Sequence, residues 1–222
     1  MDSHLSTLQK SSLFLDISEE NVRKICNCLS ARQRIIEKNS FVFRASDEVH
    51  SIYMILSGRL HITDEDFCGN SAIVETMEEY TLFGEAYAFA PEEQYLVNLV
   101  AAEKTMIMEM NPARLFETCP ENCQCHTVLI KNVACILSRK VVALTRKLGH
   151  VTQRSIREKI LSYLSRCASL AHSSSFYIPY SRQQLADYLC VDRTSLSHEL
   201  SRLHKQGIIR YRKNYFELIK NA

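Results

Sequence analysis

No apolar run in this 222-residue chain approaches the roughly 18 to 20 residues that span a bilayer, so a membrane helix is excluded. The opening residues, MDSHLSTLQKSSLF, lack a basic stretch followed by an apolar core. No secretory signal is read there, and a cytoplasmic location without a membrane partner is expected. Internal repeats and low-complexity tracts are absent. Acidic residues are scarce in one half only. Residues 126–222 hold 5 acidic against 17 basic side chains, net +12, while residues 1–125 hold 20 acidic against 10 basic, net −10. The whole-chain charge of +2 hides this split. A basic half beside an acidic half implies a nucleic-acid-binding domain joined to a domain with another task. The 46% hydrophobic content excludes wholesale disorder, and the length allows one large domain or two with separate cores. Nine cysteines would be mostly reduced in a cytosol, and small buried apolar roles explain most of them.

The most informative segment is Ser181 to Leu203, SRQQLADYLCVDRTSLSHELSRL. Its pattern predicts two short helices joined by a tight turn. Ser181 caps the first helix, and Leu185, Ala186 and Leu189 share its apolar face. Cys190, Val191 and Asp192 make the turn, with Asp192 as the second cap. Leu196, Leu200 and Leu203 face inward from the second helix. Arg193, Thr194, Ser195, Ser197 and His198 are left near its exposed N-terminal end, the end that reaches base edges in a helix-turn-helix. Double-stranded DNA is the partner this pattern implies.

The rest of the chain frames that segment. Residues 5–30 suggest one or two short helices with Leu13, Phe14, Val22, Ile25 and Leu29 inward. From about Arg34 to Met110 short strands follow, among them 40–44, 51–56, 59–62, 71–74 and a pair within 97–110, as in a small barrel or roll. Residues 125–148 read as one long helix. Ile130, Ala134, Leu137, Val141, Leu144 and Leu148 follow a 4-3-4-3-4 spacing, the stripe of a two-stranded coiled coil or of a helix packed on its own domain, and Val128, Val133 and Val142 allow it to touch both a partner and the roll. A homodimer suits a helix-turn-helix, since two reading helices one DNA turn apart match a palindrome. Gly149 is expected to end or hinge the helix. A further helix is expected over 154–170, Ser173 to Ser175 as a loop, and a β-hairpin wing over 208–219 around Arg212, Lys213 and Asn214. The fold class is α+β, divided into a jelly-roll-like β-roll sensor domain (1–124), a dimerisation helix (125–149) and a winged helix-turn-helix domain (150–222).

This order of parts, with RSIREKILSYL, IPYSRQQLADYLCVDRTSLSHELSRLHKQGII, SIYMILSGRLHI and LFGEAYAF, resembles the CRP/FNR family of bacterial transcription regulators over nearly the whole chain. The resemblance implies a phosphate contact for Arg182 and a guanine contact for Arg193. His198 stands where the family often has arginine, and it offers one donor in place of a fork. RNA polymerase is an implied partner if the chain activates. The resemblance also places an effector pocket at Phe83, Gly84, Glu85, Tyr95 and Leu96. Cyclic-AMP-binding members follow the Gly-Glu turn with an arginine and a hydroxyl residue for the phosphate. Here Tyr95 and Leu96 fall at those positions, and no Lys or Arg lies between Arg59 and Lys104. A buried phosphate without a cation is costly, so cyclic AMP is not expected.

Two further readings stand beside this one. Cys119, Cys123, Cys125 and His126, in CPENCQCH, can hold a metal or haem or form a redox disulfide, or they are ordinary residues at a domain junction. Their C-x3-C-x-C-H spacing matches no standard zinc pattern. The roll can also have lost its ligand, leaving a constitutive DNA-binding protein. An enzyme of the cupin type is not expected, because the strand region holds only His50 and His61 and no H-x-H pair.

Overall fold

The computed structural model, described for residues 8–65, 71–90, 92–116 and 125–219, divides into two compact units, Met1–Leu137 and Ser138–Ala222. In the first, a 3-10 turn at Ser12–Phe14 precedes helix α1 (Glu19–Cys28). The Ser18 hydroxyl accepts from the Asn21 amide, and Glu19 and Glu20 occupy the positive end of the helix dipole. Leu13, Phe14, Val22, Ile25 and Leu29 are all buried, as their spacing predicts.

Eight strands follow: β1 (Arg32–Ile36), β2 (Phe41–Phe43), β3 (Ile52–Ser57), β4 (Leu60–Glu65), β5 (Ser71–Met77), β6 (Leu82–Phe83), β7 (Asn98–Ala101) and β8 (Thr105–Met110). They form two antiparallel four-stranded sheets, ordered β1-β8-β3-β6 and β2-β7-β4-β5. β3 explains its own unbroken apolar sequence, because both faces are covered. Ile52, Met54 and Leu56 pack with α1, while Tyr53 and Ile55 face the roll interior with Phe43, Phe83, Tyr95 and Leu99. β1 has no apolar alternation to announce it. Four of its five residues are exposed, and it exists through its pairing with β8.

Helix α3 (Cys125–Val151) runs from the first unit into the second. It continues past Gly149, which does not end it. The Thr152 hydroxyl and the Gln153 amide instead donate to the Leu148 and Gly149 carbonyls, at 2.8 and 3.0 Å, and satisfy part of its last turn. Among the described residues no helix is long and apolar enough to cross a membrane.

The second unit holds α4 (Ile156–Ala171), β9 (Ser175–Tyr177), α5 (Arg182–Leu189), α6 (Arg193–Lys205), β10 (Ile209–Arg212) and β11 (Tyr215–Leu218). A capping box of Ser155 and Glu158 starts α4. Ser175, expected in a loop, begins β9, which pairs with β11, so the wing is a three-stranded sheet, β10-β11-β9. Arg212 also belongs to a strand, and Lys213 and Asn214 alone make the turn. Ile160, Leu164, Leu185, Leu189, Leu196, Leu200, Leu203, Ile209 and Phe216 form one fully buried core.

Candidate nucleic-acid interface

Both helices of the expected reading motif are capped from the sequence. The Ser181 hydroxyl accepts from the Gln184 amide while the Gln184 side chain accepts from the Ser181 amide. Asp192 accepts from the Ser195 amide at 2.8 Å. That bond, with help from the Thr194 and Arg193 amides, holds its carboxyl below the usual carboxylate range. Between the helices Cys190 adopts a left-handed conformation, φ 51°, and closes the turn. With Leu196, Leu200 and Leu203 fully buried, α6 presents Arg193, Thr194, Ser195 and His198 to solvent. Ser197 is half-buried, and its hydroxyl donates to the Arg193 carbonyl at 2.9 Å. That donor is occupied, so Ser197 faces a ligand chiefly as an acceptor.

Arg182, the expected phosphate contact, is half-buried against the wing. Its guanidinium donates to the Lys213 carbonyl at 3.3 Å and lies 5.3 and 5.6 Å from the Tyr211 and Phe216 ring centres. It ties the start of α5 to the wing tip. One group had no signal in the sequence. Glu199, only 13% exposed, bridges Arg157 of α4 at 3.5 Å and Arg202 of its own helix at 3.7 Å, and Arg157 also donates to Gln206 at 2.7 Å. This network ties α4 to the outer side of α6.

In the first unit Phe83, Glu85 and Tyr95 are buried, and Gly84 takes φ 78° at the start of the short helix Glu85–Ala88. Leu96 differs from the expectation: at 75% exposed it lies on the surface, not buried beside Tyr95. Phe43 meets Tyr53 at 5.1 Å and Tyr95 at 5.3 Å, Tyr53 stacks on Phe83 at 5.3 Å, and Tyr87 touches Tyr95 at 4.6 Å. The roll interior is filled by its own rings. Burial, reinforced by neighbouring Tyr87 and Glu85, raises the Tyr95 hydroxyl well above its usual range, so it stays protonated.

The family model of the cyclic nucleotide-binding domain matches residues 33–122, and that of the Crp-like helix-turn-helix domain matches residues 158–221. The chain belongs to the CRP/FNR family. It is similar to the anaerobic regulatory protein of Bacillus subtilis (strain 168), 21% identical over 196 residues that cover 87% of this chain and 82% of that one. Among solved structures it resembles the catabolite activator protein of Thermus thermophilus, at 18% identity, 94% of each chain and a TM-score of 0.55. It also resembles CprK complexed with OCPA, at 17% identity, 90% of this chain, 92% of that chain and a TM-score of 0.62. At such identities the structures speak for the fold alone. With the two domain matches, the chain is a CRP/FNR-type DNA-binding transcription regulator.

In this regulator the coiled-coil stripe is divided. Ile130 and Leu137 are partly covered by the first unit's own core, and Ala134 is exposed. Val141, Leu144 and Leu148 are 61%, 66% and 59% exposed. Of the four junction donors, Cys125 and His126 are described. Cys125 and His126 occupy successive positions of a helix, about 100° apart, and so diverge. Cys119 and Cys123 lie outside the described residues, and among those residues no group of three or more metal-ligating side chains comes together. His126 is 8% exposed, and among the described residues neither ring nitrogen has a hydrogen-bond partner. In the strand region His50 lies against Glu48 at 3.1 Å and His61 against Thr76 at 3.0 Å.

Proposed function

We propose that this CRP/FNR regulator acts in the cytoplasm as a homodimer on palindromic promoter sites. The observation that carries the reading is α6 itself, with a wholly buried leucine face and Arg193, Thr194, Ser195 and His198 exposed at its N-terminal end. Arg193 suits a guanine edge, His198 supplies a single donor, and Ser197 adds an acceptor. Arg182, a fork of donors of which one meets the Lys213 carbonyl, is read as the phosphate contact beside the wing. The exposed row Val141, Leu144 and Leu148 supports pairing of two long helices, because contiguous apolar rows mark an interface. RNA polymerase is a partner if the bound dimer activates.

The experiment is selection of bound sequences from a random duplex pool, followed by anisotropy with Arg193→Ala. The expected result is a palindrome, and a loss of about 1–3 kcal/mol for the variant at one base position per half-site. Recovery of no sequence preference, or an unchanged preference with Arg193→Ala, overturns the reading.

In this reading the roll does not answer to cyclic AMP. The rings of Phe43, Tyr53, Phe83 and Tyr95 occupy the interior, and no Lys or Arg between Arg59 and Lys104 is there to meet a phosphate. The same observation favours a second reading, a constitutive regulator that needs no effector. Operator affinity measured with and without 1,000-fold excess cyclic AMP is expected to be equal. A rise in affinity or melting temperature overturns it.

A further inference from the structure

Over residues 138–151, the part of α3 that lies in the second unit, His150 is the one buried residue. Its neighbours Leu148 and Gly149 are exposed. The imidazole reaches two other helices. Its Nδ1 is 2.9 Å from the Ser162 hydroxyl of α4. The ring meets Tyr163 of α4 edge-on, with centres 5.7 Å apart and planes at 82°, and lies 6.2 Å from Tyr188 of α5. Those tyrosines form a set of their own. Tyr163 lies 5.4 Å from Tyr188, Tyr180 stacks on Tyr188 at 5.1 Å, and Lys147 lies 5.9 Å above the Tyr188 ring.

An imidazole is suited to such a joint. It offers a directional hydrogen bond along one edge and a flat aromatic body for ring contacts. The other side chains of this part of the helix are exposed or half-buried, so His150 makes its one buried contact with the helix-turn-helix core, beside the Lys147–Tyr188 contact and the short link through 152–155. α5 begins the reading motif, and a rotation of α3 about this joint moves both helices of that motif as one body.

We propose that His150 is a positioning residue that holds the C-terminal part of the long helix at one angle to the DNA-binding core, and thereby sets the half-site spacing that the dimer accepts. The inference rests on the homodimer and palindrome of the proposed function. A spacing change of one base pair moves a half-site by about 3.4 Å along the duplex and turns it by roughly 35°. A rigid joint rejects such a site, and a loose joint accepts it.

The test is anisotropy of the full-length protein on three duplexes, one with the selected palindrome and two with its centre lengthened or shortened by one base pair, beside a single half-site. Wild type is expected to prefer the selected spacing by about tenfold or more, equal to about 1.4 kcal/mol. His150→Ala is expected to bind the half-site as wild type does, yet to bind all three palindromes within about twofold, well under 1 kcal/mol by the same conversion. Ser162→Ala, which keeps the ring contacts, is expected to fall between them, and it decides the matter if His150→Ala does not fold. Equal spacing preference in wild type and in both variants overturns the positioning role alone. So does a loss of half-site affinity that matches the loss on palindromes, because the residue is then merely structural. Wild type that binds the palindrome no better than the half-site overturns the dimer reading, and the inference falls with it.

Discussion

The side-chain amide of Asn132 donates to the carbonyl of Leu13 at 2.9 Å, across 119 positions of sequence. The same nitrogen donates to Leu15 at 2.8 Å. A residue of the long helix thus holds both sides of the Ser12–Phe14 turn, at a point where Leu13 and Phe14 are buried and the chain's own ladder supplies no donor. Asn132→Leu leaves two carbonyls without this partner. The expected loss is about 2–4 kcal/mol in the first unit, from about 1–3 kcal/mol per unsatisfied buried group with partial relief by water at Leu15. Urea unfolding followed by a probe in that unit measures it. A loss under about 0.5 kcal/mol, the level of an ordinary surface change, means that water replaces the amide without cost.

Gly84 is required by both its backbone and its surroundings. Its φ is 78°, and an added Cβ would lie 2.9 Å from the Tyr53 ring and 3.1 Å from the Ser51 carbonyl. Tyr53 is itself stacked on Phe83 and has little room to move. Gly84→Ala is expected to cost about 1–2 kcal/mol from the left-handed backbone alone, with the contact adding to it. A thermal melt that matches wild type would show that the turn adopts another conformation.

Stability should depend on His150 in a defined direction. Burial first, and then the charge of Arg166, holds its imidazole below the ordinary 6.5. Tyr163 and Tyr188 complete its surroundings and stay neutral across the acid range. The unfolded chain then binds the proton more readily than the folded one. Stability from this residue is present above pH 6.5 and declines as the pH falls through 6.5 toward the lower folded value. Comparing urea midpoints at pH 7.5 and 5.5, His150→Phe is expected to lose less stability on acidification than wild type does. An equal loss refutes this.

The exposed row of α3 separates folding from association. Leu144 and Leu148 are 66% and 59% exposed, so Leu144→Glu with Leu148→Glu is expected to change folding stability by no more than about 0.5 kcal/mol per site. Two such carboxylates facing their copies would disrupt a paired helix. Sedimentation is expected to show a dimer for wild type and a monomer for the double variant. A variant that remains dimeric places the interface elsewhere.

The reading motif was legible because its signals are local. Ser181 and Asp192 act within their own first turns, and the leucines at 196, 200 and 203 face inward by helical spacing alone. The inward face of Leu13 to Leu29 followed from the same periodicity. β1 and β9 carried no such signal. Arg32 to Gln33 and Arg34 alternate nothing apolar, and Ser175 sits in a run of serines, so each becomes a strand only when β8 or β11 arrives beside it. Leu96 follows Tyr95 directly in the sequence, yet the two differ in their surroundings. Tyr95 is buried and Leu96 is exposed.

By itself, then, the sequence determined the α+β order of parts, the capped pair of helices, the apolar stripe and the lack of Lys or Arg between Arg59 and Lys104. Each is a matter of residue type and periodicity over a few turns. Only the tertiary structure decided that the roll interior is filled by Phe43, Tyr53, Phe83 and Tyr95, that Arg182 rests on the wing, that Glu199 bridges two arginines, and that His150 is held among tyrosines of two other helices. Apart from Glu199 with Arg202, three positions apart on one helix, these contacts join residues 10 to more than 50 positions apart. They are settled by how the elements pack, which no local pattern encodes.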